Sequence, residues 1–141
     1  MIVLRRLLLA LVAFGVVGTA TELVLLKHYE EFWQIAPLVL LAAALGSVVA
    51  EATVGSARTL WTLRLVMSLL IVAGVTGILL HYRGNLEFQA DMDPTASQWE
   101  LFKKVIRAKA PPALAPGSMM QLGLLGLIYS YRHPSLSHTQ T

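Results

Sequence analysis

Four apolar windows fill most of this chain, each about as long as a bilayer's hydrocarbon core is thick. They run from about Leu7 to Lys27, Ile35 to Val54, Leu60 to Leu80 and Pro112 to Tyr131. Crossing a bilayer as a helix takes about 20 mostly apolar residues. Inside hydrocarbon there is no water to satisfy backbone N–H and C=O groups, so a helix satisfies them internally. The sequence therefore predicts an all-α membrane protein: a four-transmembrane-helix bundle over residues 1–132, followed by a polar tail at 133–141.

Charge supports this reading. Only 13% of the 141 residues are charged against 56% hydrophobic, where soluble domains carry roughly 25% charged residues. The length allows one domain. The absence of cysteine rules out disulfides, thiolate metal sites, Cys nucleophiles and Fe–S clusters. The net charge of +3 is scattered among apolar runs and forms no basic stripe, so no nucleic-acid partner is expected.

The flanks agree with the windows. Pro37 stands in the first turn of the second window, where a proline costs least, and Arg64 is near enough to an end to snorkel. Trp33, Trp61, Tyr82, Tyr129 and Tyr131 sit where aromatic belts belong. A rival reading takes Arg5, Arg6, the apolar stretch and "GTA" at 18–20 as a cleaved secretory signal; against it, the apolar run resumes after Glu22 and reaches spanning length. Four spans put both termini on one side with Arg5, Arg6, Arg58, Arg64 and Arg132, and leave Lys27, Arg83, Lys103, Lys104, Arg107 and Lys109 on the other. This near balance tips toward cytoplasmic termini because the first helix leads with two arginines. The expected location is a bacterial inner membrane.

One connection is long, from about His81 to Pro111. "HYRGN" reads as a turn, and residues 85–90 as an extended or irregular piece. An amphipathic helix follows at about 95–108, opened by Asp93 with Pro94 or by a Ser97/Glu100 capping box. Trp99, Phe102 and Ile106 share a stripe, with Leu101 and Val105 beside it and lysines opposed. That is the pattern of an interfacial helix lying in the headgroup plane between spans three and four.

The phrases "LLKHYEEF" (25–32) and "LLHYRGNLEF" (79–88) nearly repeat. The first and third spans run in parallel, so His28 and His81 are expected at one membrane level. Small residues precede the polar ones: Gly15 and Gly18 lead to Glu22, Gly74 and Gly77 to His81, Gly123 and Gly126 to Ser130. Small faces let helices approach closely in bilayers, which would turn Glu22 and His81 inward. A duplicated hairpin is a further reading, although only this skeleton matches.

Glu22, with Thr19 as a hydrogen-bond partner, is the sharpest candidate for a ligand or proton site, since an ionisable group inside a span is costly. Glu51, at the far end of the second span, is expected in headgroups. His28 and His81 could ligate copper or haem, with the Met119 thioether or the acids Glu30, Glu31, Glu87, Asp91 and Asp93 completing a metal site. No H-E-x-x-H spacing, nucleophile elbow or phosphate loop is present. His133 and His138 fall in the polar tail and are expected to be solvated.

The leading functional reading is a non-catalytic accessory, assembly or oligomeric scaffold subunit. Its partners would be the lipid bilayer and further copies or a larger membrane complex. The alternatives are a redox or metal/haem-binding membrane protein using His28 and His81, and a small proton-coupled transporter using Glu22. The sequence names no cofactor and no reaction, and an enzyme is the less expected class.

Overall fold

In the computed structural model, which describes residues 2–108 and 114–135, the apolar windows form helices of unequal length. Among the described residues there are five helices and no strand: α1 (Ile2–Leu25), α2 (Phe32–Val54), α3 (Ala57–Met92), α4 (Gln98–Ile106) and α5 (Leu114–Ser130). Three of them, α1, α2 and α3, are long and apolar enough to cross a membrane. Their outward faces carry exposed Phe14, Leu25, Val39, Trp61, Leu65 and Val72. Apolar surface of that extent is unfavourable in water and matches lipid, so the chain fits an integral membrane protein. Within the fourth window the described helix is α5. α5 has 17 residues, about 26 Å at 1.5 Å per residue, and residues 112 and 113 of the window lie outside the described ones.

Helix packing runs α1 on α2, α2 on α3, α3 on α5 and α5 on α1. Each helix buries a stripe at 3–4 spacing: Leu9, Val12, Val16, Thr19 and Leu23 in α1; Leu41, Ala44, Val48 and Glu51 in α2; Leu60, Leu63, Met67, Leu70 and Gly74 in α3. The tightest contact is α3 on α5. A Cβ on Gly74 would lie 2.6 Å from the Pro116 carbonyl oxygen, and one on Gly123 would lie 2.6 Å from that of Met67. Here glycine permits backbone approach, which dispersion rewards in a bilayer where hydrophobic force between helices is weak.

Short connections fix the geometry. After α1, Lys27 takes a left-handed φ of 54°, and two backbone bonds, His28 N–H to Leu23 O and Lys27 N–H to Val24 O, form a Schellman closure. The corner between α2 and α3 is two residues. Gly55 has φ 61°, as a left-handed helix end favours, and Ser56 caps α3 through the Thr59 N–H.

The expected break at "HYRGN" does not occur. α3 runs unbroken through Gly84 and Asn85 for 36 residues, and residues 85–90 are helical. Gly84 costs a helix about 1 kcal/mol. Good helix formers surround it, and Tyr82, Leu86 and Ala90, spaced i, i+4, i+8, face α4 residues across a shared groove. The helix stops at Asp93, whose N–H still bonds Gln89 O, just ahead of Pro94. Of the two expected starts for the next helix, the Ser97/Glu100 capping box is used. α4 is thus 98–106 rather than 95–108. Leu101 and Val105 turn toward α3, with Val105 fully buried, and Trp99, Phe102 and Ile106 turn out.

Candidate functional site

The structure places chemistry at both ends of the helices. At one end, the Schellman closure after α1 presents His28 to α3, where the His81 ring lies 6.0 Å away, centroid to centroid, tilted by 38°. Two imidazoles each about 2 Å from one metal ion place their ring centroids roughly 5–6.5 Å apart, so the spacing suits a shared ion. Partial burial, and secondarily the neighbouring His81, hold the His28 pKa below the ordinary value, which favours the neutral, ligating form. Among the described residues no group of three or more His, Asp or Glu could hold a metal. Met119 is buried in the core.

Glu22 and Thr19 are not brought together. Thr19 belongs to the buried stripe of α1, whereas Glu22 and the preceding Gly18 are exposed. The expectation that Glu22 and His81 turn inward is corrected: both are exposed, His81 one turn beyond Gly77, where Pro116 of α5 still packs, and Glu22 for a steric reason. Two adjacent stripes compete on α1, and the bulkier Val12–Val16–Thr19 stripe fills the interior. The glycine stripe makes contact only at Gly15, against Leu122, and a Cβ on Gly18 would meet nothing within 4 Å.

At the opposite end the buried carboxylate is Glu51, whose side chain has no solvent exposure. It does not sit in headgroups. Thr59 donates its hydroxyl to Oε2 at 2.6 Å and Tyr129 donates its own to Oε1 at 3.2 Å. His133 Nε2 stands 3.9 Å from Oε1, and its ring lies 5.3 Å from that of Tyr129. His133 is therefore not a solvated tail residue. Burial, then the positive charges of Arg5 and Arg64, lower its pKa against the raising effect of Glu51. His138 lies outside the described residues.

Arginines finish this end. Arg5 donates to the carbonyls of Tyr129, Tyr131 and Arg132, and Arg64 to the hydroxyl and carbonyl of Ser130. The last carbonyls of a helix lack intrahelical partners and carry partial negative charge; two guanidinium groups satisfy them here. Arg64 is thus drawn to α5 rather than snorkelling free, with Trp61 against it. Between α1, α2 and the end of α5 a half-open cleft of about 730 Å³ includes Arg5, Arg6, Arg132, Glu51 and His133 in its lining.

A signal for Glu51 does exist in the sequence. It follows Ala44 by seven and Val48 by three, on the inner stripe, and Tyr129 follows Gly126 by three. Hydropathy alone could not show it, because every face of α2 is apolar. No protein-family model matches the chain, and neither a curated protein nor a solved structure is similar to it, so its chemistry is read from its own geometry.

Proposed function

We propose that this is a four-span membrane protein of a bacterial inner membrane, termini cytoplasmic, serving as a non-catalytic accessory, assembly or scaffold subunit. In this reading α1, α2, α3 and α5 form a four-helix bundle, and α4 is an interfacial helix presented to a larger membrane complex or to further copies. The carrying observation is the exposed Trp99, Phe102 and Ile106 stripe on α4. α3 is 36 residues long, about 54 Å, so it outruns a hydrocarbon core of about 30 Å. α4 folds back on that excess. Trp99 and Phe102 stack at 5.5 Å, with Lys103 over the indole, a composition suited to the membrane surface.

The test is native mass and copurification in mild detergent, comparing wild type with Trp99→Ala/Phe102→Ala/Ile106→Ala. Wild type should run as an assembly larger than the 15.4 kDa chain, and the triple variant should be released from it with helicity unchanged. A wild-type monomer without partners would refute the subunit reading. Because the chain has no native cysteine, single cysteines at Thr53, Thr95 and Tyr131 report sidedness. If α5 spans, Tyr131 labels with Thr53; if it labels with Thr95, there are three spans.

The His28–His81 pair favours a second reading, a metal-binding membrane protein. Cu(II) titration of purified protein should show one site per chain, lost in both His28→Ala and His81→Ala. Equal uptake by wild type and variants would end that reading.

A further inference from the structure

We propose that the cleft beside Glu51 is a binding site for one anionic glycerophospholipid. Its polar side is cationic. Arg5, Arg6 and Arg132 all line it, and among the described residues none of the three is within 4 Å of a carboxylate, the ion pairs being Lys104–Asp93 and the His133–Glu51 contact. Arg5 is committed to the carbonyls ending α5. Arg6 is exposed, and Arg132 stands over the Tyr131 ring, so these two present guanidinium donors to the cleft mouth. Glu51 lines the same cleft, but its carboxylate is buried, accepts from Thr59 and Tyr129, and forms no ion pair with these arginines, which outnumber it three to one. Arginine is the side chain suited to phosphate oxygens.

The other walls are apolar: Leu9, Ala10 and Ala13 from α1, with Val48, Val49 and Ala52 from α2. Ala10 and Ala13 on α1 and Ala52 on α2 have short side chains that leave space in this wall, and a larger side chain would fill it. The cleft volume of about 730 Å³ lies in the range of about 300–1,000 Å³ that ligand sites occupy. A free phosphate would leave those walls unmatched. An amphiphile with a phosphodiester head and an acyl chain satisfies both, and the cleft lies where α1 begins and α2 and α5 end, at headgroup depth. It rests on the membrane reading above but not on the α4 interface or on the His28–His81 pair, which lie at the opposite end of the helices.

The experiment uses the full chain in detergent, with dioleoyl phosphatidylglycerol, dioleoyl phosphatidylcholine and inorganic phosphate as separate probes, read by native mass spectrometry and thermal unfolding. One phosphatidylglycerol should remain bound per chain under conditions that strip phosphatidylcholine, and it alone should raise the unfolding temperature. Arg6→Gln/Arg132→Gln should weaken phosphatidylglycerol binding about 25-fold, since each arginine at an anionic surface contributes about fivefold. Ala13→Leu and Ala52→Leu, which leave the charge intact and fill the wall, should weaken it as well. Equal retention of the two lipids, full stabilisation by inorganic phosphate, or undiminished binding in both wall variants would each overturn the proposal.

Discussion

Gly123→Ala tests the reading that backbone contact between α3 and α5 holds the helices together. The added Cβ would lie 2.6 Å from the Met67 carbonyl oxygen, 2.6 Å from Ile71 Cγ1 and 3.3 Å from the Ile71 nitrogen. Non-bonded carbon contacts settle near 3.5 Å, so α5 would have to withdraw by roughly 1 Å. The Ile71 side chain can turn aside; the Met67 carbonyl and the Ile71 nitrogen belong to the α3 backbone and cannot. Overpacking of this kind costs about 1–3 kcal/mol. Alanine returns at most about 1 kcal/mol through helix propensity, and less where the unfolded reference state in detergent is already helical. A net loss of about 1–2 kcal/mol follows. Gly126→Ala should cost less, because its nearest contacts are the flexible Met67 side chain. Gly18→Ala, with nothing within 4 Å, should be neutral or stabilising by up to about 1 kcal/mol. The assay is tryptophan fluorescence during titration with a denaturing detergent against a mild one. A Gly123→Ala protein as stable as wild type, or the ranking Gly18 below Gly123, would refute the close-approach argument.

Two further predictions concern the opposite ends of the molecule. Glu51→Leu should destabilise by about 2–4 kcal/mol, because it removes charge-assisted bonds and leaves the Tyr129 hydroxyl buried without its acceptor; Glu51→Gln, which keeps one acceptor, should cost about half as much. Equal stability of Glu51→Leu and wild type in the same titration would contradict the buried network. The second prediction concerns pH. His28 and His133 both titrate below their ordinary value of 6.5 in the fold, so the unfolded chain binds protons that the folded chain excludes. Their contribution is fully present above the unfolded pKa and is lost as pH falls from about 7 to 5. Stability should decline across that window, and His28→Gln/His133→Gln should flatten the slope; parallel slopes would show that these imidazoles are not the groups responsible.

The membrane class, the helical fold and most helix positions were legible in the sequence, because apolar length over a fixed bilayer thickness is a one-dimensional property. Local chemistry was legible too. The Ser97/Glu100 box starts α4, and the matched level of His28 and His81 follows from α1 and α3 running in parallel, although only α1 closes at its phrase while α3 continues to Met92. Which face of each helix turns inward was not legible, because α1 and α2 are apolar all round and no polar side marks the outside. Only packing decided that the Val12–Val16–Thr19 stripe goes in and leaves Glu22 out. The same packing carried α3 past a turn signal, since contact with α4 outweighs the small helix cost of Gly84. It also brought Glu51, Thr59, Tyr129 and His133 together from three helices and the turn that follows the last, a convergence that hydropathy along one chain does not encode.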